Sequence, residues 1–118
     1  MARILIADDS VVVREYIKQT LERAGHQVIA EATTGYEAYH QYLTHRPDLI
    51  TMDINMPELN GIETVKLIVK ENHAAKIIIV STYGLKPLVF EAIKAGASDY
   101  ITKPVDEDKL LGAMSNVL

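Results

Sequence analysis

The sequence predicts an α/β fold in which five strands alternate with five helices. Strand-like and helix-like segments follow one another through all 118 residues, and the first, third and fourth strands are apolar almost throughout. Strands of this kind are covered on both faces, as in a parallel sheet between two helix layers. Right-handed crossovers then give a doubly wound, five-stranded parallel sheet, for which we expect the order 2-1-3-4-5.

Length and composition narrow the function classes. The chain is 48% apolar, enough for one core, and we expect a single domain over residues 1–118. It has no Cys, which excludes thiol chemistry, and its net charge of −4 with scattered basic residues argues against direct contact with nucleic acid. No apolar run approaches the ~20 residues of a membrane span, and no signal peptide is evident. We therefore expect a cytoplasmic protein without membrane insertion.

The strands are predicted from short apolar runs that are bounded by polar or turn-forming residues. They are expected at residues 3–7, 27–30, 48–52, 76–80 and 98–102.

The helices are predicted from apolar residues at helical spacing, together with residues that favour helix ends. The end signals, in chain order, are Gly25, the capping box of Thr34 and Glu37, Pro47, Asn60, Pro87, Gly96 and Asp106. The faces expected to be buried comprise Val13, Ile17, Leu21 and Ala24 in the first helix, Ala38, Tyr39, Tyr42 and Leu43 in the second, Ile62, Val65, Ile68 and Val69 in the third, and Leu110, Leu111, Met114, Val117 and Leu118 in the fifth.

Reactive polar residues stand at the ends of four of these strands. The residues are Asp8 and Asp9, Asp53, Ser81, and Lys103. The carboxyl ends of parallel strands meet at one edge of the sheet, where open α/β folds bind ligands. We therefore expect three carboxylates, a hydroxyl and a lysine to lie close together.

Such a cluster is suited to a divalent cation and a phosphoryl group. Three close carboxylates repel one another, and Mg²⁺, with Mn²⁺ as a second choice, offsets the repulsion. A lysine and a hydroxyl complete a clamp for phosphoryl oxygens. Without Cys or a plausible Ser–His pair, Asp53 is the candidate nucleophile, and its attack would form an acyl phosphate.

Single acidic residues also have simpler interpretations. For Asp9 or Ser10 alone, a helix N-cap is an equally good explanation. Asp53 is followed by a loop rather than by a helix, so a capping role does not explain it.

Five motifs together resemble a response-regulator receiver domain of two-component signalling, of the CheY type. The motifs are Leu5–Ser10, Met52–Pro57 with Asn60 and Gly61, Val80 with Ser81, Ala95–Ala97, and Tyr100–Pro104. They extend over essentially the whole chain. The resemblance implies a flavodoxin/CheY-like three-layer sandwich.

The resemblance also implies a role for each site residue. The phosphoacceptor is expected to be Asp53, and the metal ligands are expected to be Asp8, Asp9, Asp53 and the backbone carbonyl of Asn55. The phosphate-binding and switch residues are expected to be Ser81, Thr82, Lys103 and Tyr100, with a cis peptide bond between Lys103 and Pro104.

Thr82 departs from the family pattern. The residue after the switch hydroxyl is usually small, typically Ala, and a β-branched side chain there is expected to narrow access to the phosphorylation site. Tyr83 and Asn55 are expected to flank the same mouth.

The implied function is that of a signalling switch, a single-domain response regulator of chemotaxis type. Its implied partners are a sensor histidine kinase and an output target on the face of helix four, strand five and helix five, with a phosphatase as a further candidate. An apolar set of residues, Leu85, Leu88, Val89 and Phe90, is expected to contribute to that face. We expect a monomer or a weak phosphorylation-dependent dimer, and no enzyme activity beyond self-phosphorylation and autodephosphorylation.

Two alternatives remain open at the sequence level. The first is a receiver domain that has been cut from a larger transcriptional regulator. The second is a phosphohydrolase of the haloacid-dehalogenase type, which also uses an Asp nucleophile with Mg²⁺. Against the second, Asn55 stands where a second acid would be expected, two positions after Asp53.

Overall fold

Five strands and five helices alternate along the chain in the computed structural model, which describes residues 1–82 and 86–118. The strands are β1 (Arg3–Ala7), β2 (Gln27–Ala32), β3 (Leu49–Asp53), β4 (Ile77–Thr82) and β5 (Asp99–Lys103). The helices are α1 (Val11–Arg23), α2 (Gly35–His45), α3 (Gly61–Glu71), α4 (Lys86–Ala95) and α5 (Glu107–Val117).

The strands form one parallel sheet in the order β2-β1-β3-β4-β5, which confirms the predicted topology. Buried side chains separate into two clusters, one on each face of the sheet. One cluster joins the sheet to α2, α3 and α4, and the other joins it to α1 and α5. The three-layer arrangement follows from strands that are apolar on both faces.

Four of the strands have boundaries that differ from the prediction. The second strand was expected to end at residue 30, but β2 continues to Ala32 because its last residues pair with Ile6 and Ala7. The last three strands begin one residue later than predicted and end one or two later, at Asp53, Thr82 and Lys103. Polar side chains at these ends do not prevent pairing, since the ladder uses backbone groups only.

Side-chain caps begin four of the helices. Ser10 accepts a hydrogen bond from Val13 N at 3.3 Å, so the cap of α1 is Ser10 rather than Asp9. Thr34, Asn60 and Asp106 cap α2, α3 and α5. The Glu37 carboxylate accepts a hydrogen bond from Thr33 N at 2.7 Å. A capping box would instead use the N–H of the N-cap residue itself, Thr34.

Two predicted core residues are on the surface. Ala24 is the exposed C-cap of α1, and Leu118 is 46% exposed because it follows the end of α5. Leu85, which was assigned to the apolar set near helix four, lies outside the described residues.

Candidate functional site

The sheet register brings the three acidic residues to one edge. Ala7 lies opposite Met52, so Asp8 and Asp53, which follow them, are neighbours at the ends of β1 and β3. One carboxylate oxygen each from Asp8, Asp9 and Asp53 lies within 4.8 Å of the other two. Asp8 and Asp53 are buried, and Asp9 is exposed.

Lys103 is the cation of the cluster. Its Nζ atom lies 2.9 Å from Asp8 Oδ2 and 3.4 Å from Asp53 Oδ2. Burial alone would lower the pKa of Lys103, but the hydrogen bond to Asp8 and the charges of Asp53 and Asp8 outweigh it and raise the pKa above its usual value. The lysine is therefore a permanent positive charge in the site.

Burial and the neighbours of Asp53 in the cluster shift its pKa. Burial, and then the negative charge of Asp8, raise its pKa from 3.8 to about 6, while Lys103 and the Asn55 amide act in the opposite direction. Asn55 N donates to Asp53 Oδ1 at 3.3 Å. One lysine and one amide thus leave the negative charge incompletely balanced.

A hard cation would balance the remaining negative charge of the cluster. Three carboxylate groups converge, two of them buried, and oxygen donors of this kind suit Mg²⁺. The donor set can therefore hold Mg²⁺ at the edge of the sheet.

The loop that follows Asp53 returns tightly over the strand end. Gly61 N donates to Ile54 O at 2.8 Å, and a Cβ atom at Gly61 would lie 2.8 Å from Ile54 Cα and against the Asp53 carbonyl. The absence of a side chain at Gly61 allows α3 to begin directly beside Asp53.

Ser81 and Thr82 end β4 at the same edge. Ser81 lies opposite Thr102, and Thr82 lies opposite Lys103. Strand alternation places Asp53 and Lys103 on the sheet face that carries α1 and α5, and Ser81 on the other face. Ser81 Oγ is buried and has no hydrogen-bond partner among residues 1–82 and 86–118, whereas Thr82 is exposed. Tyr83, expected at the same mouth, lies outside the described residues.

Tyr100 stands apart from the acidic cluster. Its side chain is 44% exposed and lines an apolar groove between α4 and β5, together with Val89, Phe90 and Ile93. Phe90 is 71% exposed and Ile93 38% exposed. The structure therefore holds Tyr100 in an outward position.

The peptide bond between Lys103 and Pro104 is cis.

Sequence reasoning did not identify Arg14 and Glu31. Arg14 Nη1 donates to the carbonyl of Asp8 at 2.7 Å, and Arg14 Nε lies 3.1 Å from Glu31 Oε1. A basic residue in the first turn of a helix is unfavourable to the helix dipole, and that was the one signal in the sequence that could have drawn attention to Arg14.

Among the helices within the described part of the chain, none combines the length and apolar character that crossing a membrane requires.

Comparison with known proteins finds relatives that extend over nearly the whole chain. The family model for the response regulator receiver domain matches residues 4–115. The chemotaxis protein CheY of Thermotoga maritima is 45% identical over 115 residues, which is 98% of this chain and 96% of that protein. CheY of Bacillus subtilis is 45% identical over 116 residues, which is 98% of this chain and 97% of that protein. A structure of a CheX–CheY–BeF3–Mg complex from Borrelia burgdorferi contains a chain with a TM-score of 0.93 and 33% identity, covering 98% of this chain and 87% of that chain.

Proposed function

Because this chain belongs to the family of response regulator receiver domains, we propose that Asp53 accepts a phosphoryl group from a sensor histidine kinase. The observation that carries the proposal is the convergence of Asp8, Asp9 and Asp53 within 4.8 Å. Lys103 beside two of these carboxylates supports it. The domain is a signalling switch, and the only reactions proposed for it are its own phosphorylation and dephosphorylation.

The proposed transfer of the phosphoryl group begins at Asp53, which lies at the end of β3. A carboxylate oxygen of Asp53 attacks the phosphorus of phosphohistidine, the P–N bond breaks, and the departing imidazole nitrogen takes a proton from water. The product is an acyl phosphate on Asp53. A pKa of about 6 leaves most Asp53 ionised at neutral pH, which the attack requires.

Asp8, Asp9, Asp53 and the backbone carbonyl of Asn55 would hold Mg²⁺. When bound, the ion supplies positive charge that offsets the carboxylates and the phosphoryl oxygens. Oxygen donors alone do not distinguish Mg²⁺ from Mn²⁺. Lys103 contributes a second positive charge that is already in place.

Phosphorylation would be read by Ser81 and Lys103. The phosphoryl oxygens offer acceptors to the Ser81 hydroxyl, which is buried and unpartnered among the described residues. Movement of Ser81 would then let Tyr100 turn inward from its exposed position. Thr82, exposed beside Lys103, would narrow the entry for a phosphodonor or an attacking water.

The output surface would be the face formed by α4, β5 and α5. Phe90, Ile93 and Tyr100 expose apolar surface there. A phosphoryl group that favours the active state by ~5.5 kcal/mol would shift the population almost completely. The target would then bind the two states differently.

The match to chemotaxis proteins over nearly their whole length supports a chemotaxis-type response regulator. We further propose that residues 1–118 form a single receiver domain and that this domain acts in the cytoplasm. A phosphatase would end the signal, and the domain would be a monomer or a weak phosphorylation-dependent dimer.

The test is a two-dimensional NMR titration with Mg²⁺ followed by beryllofluoride. We expect shifts that spread from Asp53 to Ser81, Tyr100 and α4 in the wild type. The Asp53→Ala variant should lose the beryllofluoride response. A variant that responds like the wild type would show that Asp53 is not the acceptor.

A parallel assay separates the switch from a phosphohydrolase. Acetyl phosphate should phosphorylate the wild type at Asp53, as read by mass spectrometry of its peptides. Rapid turnover of small phosphomonoesters would instead favour the hydrolase alternative.

A further inference from the structure

Arg14 occupies a position that needs an explanation. It is the fourth residue of α1, where a positive charge opposes the helix dipole, and the first turn of α1 contains no acidic residue. Its side chain is only 14% exposed. An arginine is rarely this buried unless it is paired, so its contacts should identify its role.

The guanidinium group of Arg14 on α1 contacts both β2 and the residue that follows β1. Its Nε atom lies 3.1 Å from Glu31 Oε1 on β2, and its Nη1 atom donates to the Asp8 carbonyl at 2.7 Å. Lys18, one turn further along α1, lies 3.7 Å from the other oxygen of Glu31. Glu31 therefore holds the guanidinium group of Arg14 in position, and this group holds the Asp8 carbonyl in position.

Asp8 is held at each of its polar groups. Its N–H donates to Ala32 O at 3.0 Å, and its Oδ1 accepts from Ser10 N at 2.9 Å. Its Oδ2 pairs with Lys103, and its carbonyl accepts from Arg14. The Asp8 carbonyl and the Asp9 N–H belong to one rigid peptide plane. Arg14 therefore also sets the direction in which the chain enters Asp9.

We infer that Arg14, anchored by Glu31, is a positioning residue that holds the Asp8–Asp9 segment in the geometry needed to bind Mg²⁺. The inference rests on the proposed metal site and adds to it a residue that does not touch the metal. Groups that orient metal ligands commonly change metal affinity by about 10- to 100-fold.

Arg14→Lys is the discriminating variant. It keeps the positive charge but loses the fork that reaches Glu31 and the Asp8 carbonyl together. We expect its dissociation constant for Mg²⁺, measured by NMR titration, to rise about tenfold. Arg23→Lys is the matched control, because Arg23 lies on the same helix, is 58% exposed and pairs with Glu107 at 3.4 Å. The control should stay within twofold of the wild type.

Two more variants separate positioning from charge. Arg14→Ala removes a positive charge near the site, so charge alone would tighten Mg²⁺ binding, whereas loss of positioning weakens it. Glu31 acts through Arg14, so Arg14→Ala with Glu31→Gln should bind Mg²⁺ about as weakly as Arg14→Ala alone. Tighter binding by Arg14→Ala, or an Arg14→Lys affinity equal to that of the wild type, would overturn the inference.

A measurement without metal keeps this test separate from the proposed function. The Asp8 and Ser10 amides are hydrogen-bonded, and in EDTA their hydrogen exchange should be several-fold faster in Arg14→Lys than in Arg23→Lys. Equal exchange would refute the positioning role. A wild type that binds no Mg²⁺ would instead refute the proposed metal site, and with it the effect on affinity, while exchange still decides whether Arg14 orders the segment.

Discussion

Asp53 is ionisable, buried and next to a second buried carboxylate, and each of these properties acts on its pKa. Burial and Asp8 raise the pKa to about 6 from 3.8, against the opposing effects of Lys103 and the Asn55 amide. Because the folded-state pKa is above the ordinary value, protonation of Asp53 favours folding. The stabilisation that comes from protonated Asp53 is complete below pH 3.8 and is lost as the pH rises through about 6.

The isosteric variant Asp53→Asn tests this charge. In EDTA at pH 7.5 we expect the variant to be more stable than the wild type by about 1–3 kcal/mol, since it removes an uncompensated buried charge. The difference should shrink as the pH falls from 6 to 4, where wild-type Asp53 becomes protonated. Urea unfolding of both proteins across this pH range provides the measurement.

The variant Glu22→Gln is the control for the general effect of removing an acid, because Glu22 is exposed on α1. It should change stability little at any of these pH values. A stability difference between Asp53→Asn and the wild type that stays constant from pH 4 to 7.5 would contradict the raised pKa.

The acidic residues could be predicted from sequence because they directly follow buried strands, and parallel strands bring such positions together. Arg14 and Glu31 could not be predicted in the same way. The contact of Arg14 with Asp8 depends on a side chain that reaches back six residues, and Glu31 lies beyond the predicted end of the second strand. Only the longer β2 ladder, in which Ile6 pairs with Glu31, places that carboxylate beside α1.

At the scale of elements, the β3–α3 connection determines how closely a helix approaches Asp53. Gly61 is the first residue of α3 and packs against the backbone of Asp53 and Ile54. The Asn60 side chain accepts from Glu63 N at 3.0 Å and starts the helix at this point. The site therefore depends on Gly61, whose close approach to the end of β3 could not be predicted from the sequence.

The variant Gly61→Ala should destabilise the protein by about 1–3 kcal/mol, because the new Cβ atom would force the backbone of the strand end to move. This loss should exceed the gain of up to ~1 kcal/mol that Gly→Ala brings inside a helix. Urea unfolding measures the change, and beryllofluoride binding should weaken in the same variant.

Gly112→Ala is the matched control for Gly61→Ala. Gly112 lies within α5, and a Cβ atom there would meet no atom within 4 Å apart from its chain neighbours and the backbone of its own helix. The control should be as stable as the wild type or more stable, with unchanged beryllofluoride binding. If both variants gained stability equally, the close approach at Gly61 would not constrain the loop.

Element types and order were predictable, but their ends were less so. The caps at Thr34, Asn60 and Asp106 combine a local side-chain preference with a local hydrogen bond, so the sequence contains the necessary information. Strand ends depend instead on how far the neighbouring strand continues. That dependence explains why β4 and β5 extend to Thr82 and Lys103, which lie opposite each other in the register.

At the scale of the whole molecule, the groups that stabilise the fold and the groups of the candidate site lie in different places. Two apolar clusters, one on each sheet face, stabilise the fold, while the acidic residues gather where the strands end. The sequence predicted this division because apolar runs and polar strand ends alternate along the chain. It could not predict the outward position of Tyr100, which depends on side-chain packing between α4 and β5.

Binding of Mg²⁺ should therefore stabilise the entire domain. A ligand that binds only the folded state at 100 times its dissociation constant raises the free energy of unfolding by ~2.7 kcal/mol. We expect this increase for the wild type in urea unfolding, and for Glu22→Gln, whose substituted residue lies outside the acidic cluster. Asp53→Asn should lose most of it, because one of the three converging carboxylates is gone. NaCl at matched ionic strength should not reproduce the increase, since screening by salt does not fill the site. An equal increase in Asp53→Asn, or in NaCl alone, would show that Mg²⁺ acts on the general charge of the protein rather than on this site.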